Sequence, residues 1–341
     1  MRRFRAATRT FAAAVACAAA VLAAAPAAGQ RMAYVDGAAH RVLRIHATPQ
    51  VAIEVLDWGG TGPALVFLSG SGATGHAFDT FAPRLTDRFR VIAISRRGMA
   101  SSDKPENGPY DGATLAADVK AVLDSLGIAR ASLAGWSFGG IEASFFAAAY
   151  PEATEKLVYL DSYCSGCEGA LPLRAGAYRP PPPPITRRDT LTARGLMAYQ
   201  RRTLGFAFPE AELHQVVEYG DRTARGIVPA YASRGLHEAR TRPELARVRA
   251  PALGIFAERS TVQAEFWYAR RMTPEVRKLA QVYVDNAAAT RRAAREQFLR
   301  QMPHARAEVI EGAHHAIFLS HPAETERLMR AFLLAPADTA R

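Results

Sequence analysis

The pentapeptide Gly135-Trp136-Ser137-Phe138-Gly139 carries the clearest chemistry in this 341-residue chain. It follows an apolar run that ends in Leu133-Ala134 and leads into an alanine- and phenylalanine-rich stretch that stops at Pro151. A serine between two glycines, where a strand turns sharply into a helix, is held in a strained conformation with its hydroxyl exposed for attack on an electrophilic carbon. That hydroxyl is a weak nucleophile until a base takes its proton, so the motif calls for a histidine within reach and a third group to orient the histidine. Of nine histidines, His314 and His315 stand in Glu311-Gly312-Ala313-His314-His315-Ala316, directly after the last strand-like run. A loop at the carboxyl edge of a parallel sheet brings one of the pair back to Ser137.

Such positioning needs a sheet, and the chain supplies one. Apolar runs at 64–68, 91–94, 131–134, 157–160, 252–256 and 307–310 read as buried strands. Between the first four lie segments of helical length, such as 113–126 with Leu115, Val119, Val122 and Leu123 on one face. Strand–helix alternation predicts a mostly parallel central sheet with helices on both faces. Residues 41–46 and 51–58, joined through Pro49, read as an opening antiparallel pair at the sheet edge. The alternation stops after Leu160 and resumes near Ala252, a gap of about ninety residues that is too long for a loop. The gap contains the proline run 180–184, which is stiff and extended, and then helical patterns at 191–204, 209–219 and 230–239. The predicted organisation is a leader at 1–28, core at 29–162, a mostly helical cap inserted after the sixth strand at 163–249, and core again at 250–341.

Composition agrees with an enzyme-sized core, since 49% of residues are hydrophobic. At the N-terminus Arg2, Arg3, Arg5 and Arg9 precede an apolar run and then Ala25-Pro26-Ala27, the layout of a secretory signal peptide cut near Ala27 or Ala28. An exported protein, periplasmic or secreted, is therefore expected. The apolar run is shorter than the roughly 20 residues of a membrane span, so no stable span is expected after cleavage. Without those four arginines the net charge falls from +11 to about +7, spread along the chain with no dense block. No nucleic-acid motif is present, and no nucleic-acid partner is expected. Cys164 and Cys167 lack the second Cys/His pair that a zinc site needs, so a short-loop disulfide is the leading reading and two free thiols the next. No metal and no cofactor are expected.

From about Val51 to Leu334 the chain resembles the α/β-hydrolase fold superfamily, in its serine-nucleophile branch. In that family the catalytic histidine closes a Gly-x-x-His-like segment after the eighth strand, which selects His315. The stretch Arg96-Arg97-Gly98-Met99 resembles the family's arginine–glycine loop, where Arg97 is expected to be structural. The oxyanion of an acyl-transfer intermediate needs fixed N–H donors. One is expected from Phe138, the residue after the nucleophile, and alignment assigns the other to Ser71 in Ser69-Gly70-Ser71-Gly72, although the family more often carries His-Gly where Ser69-Gly70 stands. The family's usual acid position, after the seventh strand, holds Ser260. The resemblance to members with the acid after the sixth strand, the haloalkane dehalogenases among them, favours Asp161. Glu258 is the alternative acid.

The resemblance implies a serine hydrolase that cleaves a small carboxylic ester or related acyl substrate through Ser137, His315 and Asp161. Dehalogenation and epoxide opening are disfavoured, because those relatives use an aspartate nucleophile. Carbon–carbon bond hydrolysis, amide cleavage and perhydrolysis need the same three residues. A contrasting reading is a catalytically silent fold kept as a binding module, suggested by Ser260 at the acid position.

Overall fold

The computed structural model describes Tyr34 and residues 36–162, 178–219, 224–232 and 242–336. The leader at 1–28, Cys164 and Cys167 lie outside the described residues. An eight-stranded sheet runs in the order β1-β2-β4-β3-β5-β6-β9-β10. Its members are β1 (Arg41–Thr48), β2 (Val51–Gly59), β3 (Ala64–Leu68), β4 (Arg90–Ser95), β5 (Ala131–Trp136), β6 (Thr154–Leu160), β9 (Ala252–Glu258) and β10 (Ala305–Glu311). Strand β2 is antiparallel to β1 and to β4, and every other pairing in the sheet is parallel.

Both faces of the sheet are covered, which is why its strands read as unbroken apolar runs. In β3, Leu65 and Phe67 enter one core, while Ala64, Val66 and Leu68 enter the other. The first core is closed by Phe78, Phe81 and Leu85 and by the helix Pro322–Leu333, through Leu328, Met329 and Phe332. The second is closed by α1 (Gly112–Ser125), through Val119, Val122 and Leu123, and by α2 (Phe138–Ala149), through Phe146 and Ala147. Asp111 caps α1 by accepting the Thr114 N–H at 3.0 Å. Burying one large aliphatic or aromatic side chain of this kind contributes about 1.5–3 kcal/mol.

Two elements of the core depart most from the sequence reading. Strand β6 starts at Thr154 rather than 157, because Lys156 is buried within it. Its ammonium donates to the carbonyls of Phe332, Leu333 and Ala335 at 3.0, 2.9 and 2.6 Å, satisfying the C-terminus of the helix Pro322–Leu333. The 28-residue helix Pro274–Gln301 was not anticipated. Its buried stripe is Ala280, Val284, Ala287, Ala294 and Phe298, mostly alanines that give a weak apolar signal.

The described part of the inserted region contains α3 (Arg187–Thr190), α4 (Ala193–Leu204) and α5 (Glu210–Val216). Leu196 and Tyr199 of α4 pack on Leu213 of α5 and on Val217 in a core of their own. Helix was expected through residue 219, but the chain turns into a two-stranded ribbon of β7 (Val217–Tyr219) and β8 (Ala224–Gly226). β-branched Val216 and Val217 favour that exit. Among the described residues no helix is long and apolar enough to cross a membrane.

Candidate active site

Strand β5 ends at Trp136 and α2 begins at Phe138, so Ser137 is the whole of the turn, with φ 53° and ψ −119°. A non-glycine residue there is strained by about 1–3 kcal/mol and persists only if its surroundings hold it. The Ser137 N–H donates to Leu160 O at 3.3 Å, and the Ser162 hydroxyl donates to Ser137 O. The turn also needs close approach of backbones: a Cβ on Gly139 would lie 2.1 Å from the carbonyl oxygen of Leu68.

Asp161 follows β6 and also has a positive φ, 44°. Its N–H donates to Ile255 O at 2.7 Å, and its Oδ1 accepts the Ala257 N–H at 2.9 Å. Its Oδ2 lies 2.7 Å from His315 Nδ1. Burial pushes the Asp161 carboxyl up, but the hydrogen bond and charge of His315, the charge of Arg259 and the Ala257 N–H outweigh burial and hold it below the usual carboxylate range. It therefore stays ionised and accepts from Nδ1–H, leaving Nε2 as the base nitrogen. The backbone of His315 is fixed by the Trp136 indole, which donates to His315 O at 3.0 Å. The histidine is thereby tied to the residue preceding Ser137. Among the described residues no hydrogen bond joins the Ser137 hydroxyl to His315. Such contacts are often long before substrate binds.

His314 sits differently. It is buried against Phe206 with ring centroids 5.0 Å apart, and burial first, then the Arg259 charge, drives its pKa well below the usual value. Glu258 also has other partners: Arg295 NH1 at 2.8 Å, Arg291 Nε at 3.1 Å and the Arg259 N–H at 3.2 Å. Ser260 is on the surface, 3.3 Å from Glu311. Of the two acids considered, only Asp161 is hydrogen-bonded to His315.

The Glu258 arrangement carries a stability prediction. Burial raises its pKa, but the Arg295 and Arg291 contacts prevail and the net shift is downward. A depressed carboxylate stabilises the fold above its unfolded pKa and loses that contribution as pH falls through the folded one. Glu258→Gln is expected to cost about 2 kcal/mol at pH 7 in urea denaturation. The difference from wild type should close as pH falls below the ordinary glutamate value of 4.5. A gap that persists unchanged in acid would rule the ion pairs out as its cause.

The loop after β3 approaches the nucleophile from the other side. A Cβ on Gly70 would lie 3.0 Å from the Trp136 ring and 3.3 Å from Ser137 Cβ. A turn is closed by Ala73 N–H to Gly70 O at 3.2 Å, and among the described residues neither the Ser71 N–H nor the Phe138 N–H has a backbone acceptor. The α2 N-terminus adds the positive end of its dipole at that point.

Arg96 was missed in the sequence and joins these parts. It is buried, donates to Gly70 O at 2.8 Å and to Ser69 O, pairs with Glu142 of α2 at 3.0 Å, and lies 5.1 Å from the Phe138 ring centroid. One guanidinium thus fixes both backbone segments beside Ser137. The available signal was an arginine immediately following a doubly covered strand, where a charge survives only if paired. The neighbouring Arg97, expected to be structural, makes two 2.6 Å bonds to Asp118 of α1.

The chain is similar to proteins already known. A model described as the alpha/beta hydrolase family matches residues 65–328. A 282-residue stretch is 31% identical to part of polyketide synthase ThaQ of Burkholderia thailandensis, covering 81% of this chain and 12% of that protein. A 102-residue stretch is 35% identical to 2-(acetamidomethylene)succinate hydrolase of Mesorhizobium japonicum, covering 30% of this chain and 36% of that protein. The matches therefore span well under two thirds of either relative. Among solved structures, E-2-(acetamidomethylene)succinate hydrolase superposes with a TM-score of 0.61 over 87% of this chain and 100% of that chain, at 21% identity. That is a likeness of fold.

Proposed function

Because the chain belongs to the alpha/beta hydrolase family, we propose that it is a serine hydrolase that cleaves a small carboxylic ester through Ser137, His315 and Asp161. The observation that carries this reading is the 2.7 Å contact between Asp161 and His315, held beside a serine with φ 53°. In the proposed reaction His315 Nε2 takes the Ser137 proton as Oγ bonds to the acyl carbon. The carbonyl oxygen becomes an oxyanion that accepts from the N–H groups of Phe138 and Ser71, each such donor being worth about 3 kcal/mol in the transition state. Ionised Asp161 stabilises the imidazolium. Collapse of the intermediate breaks the C–O bond, and the alcohol leaves with the proton from His315. Water then attacks the acyl-enzyme, giving its proton to His315, and expulsion of Ser137 releases the carboxylic acid.

The cap supplies the wall over this centre in our reading. Phe208 lies 5.7 Å from the Trp136 ring and Phe206 5.0 Å from His314, so the acyl group meets an apolar surface. An acetamido substrate in the name of one relative is the reason to test amides as well.

A fluorophosphonate probe is expected to label the protein at one site, mapped by peptide mass spectrometry to Ser137, and to block turnover of p-nitrophenyl esters of graded acyl length in proportion to labelling. Matched amides run in parallel distinguish the two acyl classes. An unlabelled, folded protein inactive on the whole panel would favour the silent binding module instead.

A further inference from the structure

A second buried constellation lies away from Ser137, where the chain before β1 packs on the segment after the Ser71 loop. Asp36, His40 and His76 each offer one ligand-type atom, and these atoms all lie within 4.8 Å of one another. Asp36 Oδ2 is 3.4 Å from His40 Nε2 and 3.0 Å from His76 Nδ1. For metal–ligand bonds of about 2.0–2.1 Å, neighbouring atoms of a tetrahedral site are roughly 3.3 Å apart. Both distances are close to that edge length.

Four polar atoms here lack, among the described residues, the aligned hydrogen bonds that burial demands. The His40 and His76 side chains are each only 2% exposed. Among the described residues Asp36 Oδ2, His40 Nδ1, Glu54 Oε1 and Asp79 Oδ1 are buried without a well-aligned hydrogen bond, although Asp36 and Asp79 lie at ion-pair distance from the imidazoles. Asp36 Oδ1, by contrast, accepts the Ala38 N–H at 2.9 Å, which turns Oδ2 toward the imidazoles. Each histidine also has a carboxylate at its other nitrogen: Asp79 Oδ1 is 3.1 Å from His40 Nδ1, and Glu54 Oε1 is 3.7 Å from His76 Nε2. Carboxylates behind ligating imidazoles are the usual outer support of a metal site. Among the described residues no lysine or arginine forms an ion pair with Asp36, Glu54 or Asp79, so a surplus of acid is buried around two imidazoles. In the metal-free geometry His76 Nδ1 bonds to Asp79 Oδ2 at 3.2 Å, a contact that ligation would replace.

We infer that Asp36 Oδ2, His40 Nε2 and His76 Nδ1 bind one divalent transition-metal ion, zinc being the best match to two imidazoles and one carboxylate. Asp79 supports the His40 ring, the Glu54 carboxylate lies behind His76, and water or Asp79 completes the coordination. No metal was expected from the sequence, because two histidines 36 residues apart fit no finger-like spacing and meet only through the fold. The ion would fasten residues 36–40 to the segment 74–79, in which Thr74 in turn holds cap residue Glu212 through its N–H at 3.0 Å. Its role is structural, a clasp between the start of the core, the loop and the cap.

The test uses the full chain and needs no substrate, so its outcome is independent of the serine chemistry. After stripping with dipicolinate and reloading with Zn²⁺, wild type is expected to retain about one zinc per chain through desalting and to melt at higher temperature than the stripped form. His40→Gln and His76→Gln should each weaken zinc binding by about a hundredfold or more in competition with a chromogenic chelator. Asp36→Asn, at the more exposed ligand, should do so with circular dichroism unchanged, and serves if either histidine variant does not fold. Equal zinc retention by wild type and Asp36→Asn, or none by wild type, overturns the assignment.

Discussion

Ser137→Ala is expected to lower kcat on an active ester by about a million-fold, with KM changed by less than roughly tenfold. The alanine keeps the Cβ and backbone demand of the original, and among the described residues the Ser137 hydroxyl makes no hydrogen bond. The melting temperature should therefore stay at the wild-type value, which separates loss of the nucleophile from loss of structure. What remains after the substitution is binding and the two N–H donors, which in comparable sites still leave a 10³–10⁴-fold acceleration over water, an order-of-magnitude figure. Steady-state kinetics read the effect. Retention of activity within tenfold would place the nucleophile elsewhere.

Asp161→Asn should lower kcat by about 10⁴-fold while the protein still folds. The reason lies in the two acceptor contacts of one carboxylate. Oδ1 accepts from the Ala257 N–H, which has no other protonation state, and Oδ2 faces His315 Nδ1. An asparagine must keep its carbonyl oxygen on Ala257 and present its amide NH₂ to His315. Nδ1 then becomes an acceptor and the ring proton moves to Nε2, the nitrogen that has to receive the serine proton. The variant is thus a well-packed enzyme with its base in the wrong tautomer. Glu258→Gln, measured beside it, should keep kcat within a few-fold, since its bonds run to Arg291 and Arg295. If Glu258→Gln abolishes turnover and Asp161→Asn does not, the proposed acid is wrong.

Much of this fold was legible because a parallel sheet covered on both faces writes itself as short apolar runs, and because a strand-to-helix turn around a serine needs glycine where backbones touch. The strand ends were less legible. Lys156 interrupts its run with a charge whose carbonyl partners lie about 180 residues away, and no local pattern announces that pairing. The choice between Asp161 and Glu258 was hidden for a related reason. It depends on β6 lying beside β9 with Leu160 opposite Ile255, a register that brings the Asp161 carboxylate to Ala257 and His315. Arg96 was overlooked because two of its partners are backbone carbonyls, which carry no residue-type signature, and the third, Glu142, is 46 residues away. The His40–His76 constellation was invisible for the same cause as any site assembled from separate segments: its spacing along the chain has no meaning until the edge of the sheet is built.

Two of the non-glycine residues with positive φ, Ser137 and Asp161, sit at the tips of adjacent strands and are tied to one another through Leu160 and Ser162. Among the described residues, the hydrogen bonds that hold them come from the core segments and none from the inserted region. The proposed reaction centre is therefore held from within the core, while the inserted region meets it through side-chain contacts such as Phe208 on Trp136. Substrate range can then drift, by mutation or by wholesale replacement of residues between Ser162 and Ala252, without renegotiating the distance between nucleophile and acid. A chimera that carries a foreign inserted region on this core is expected to keep the proposed chemistry and to change chiefly what reaches it.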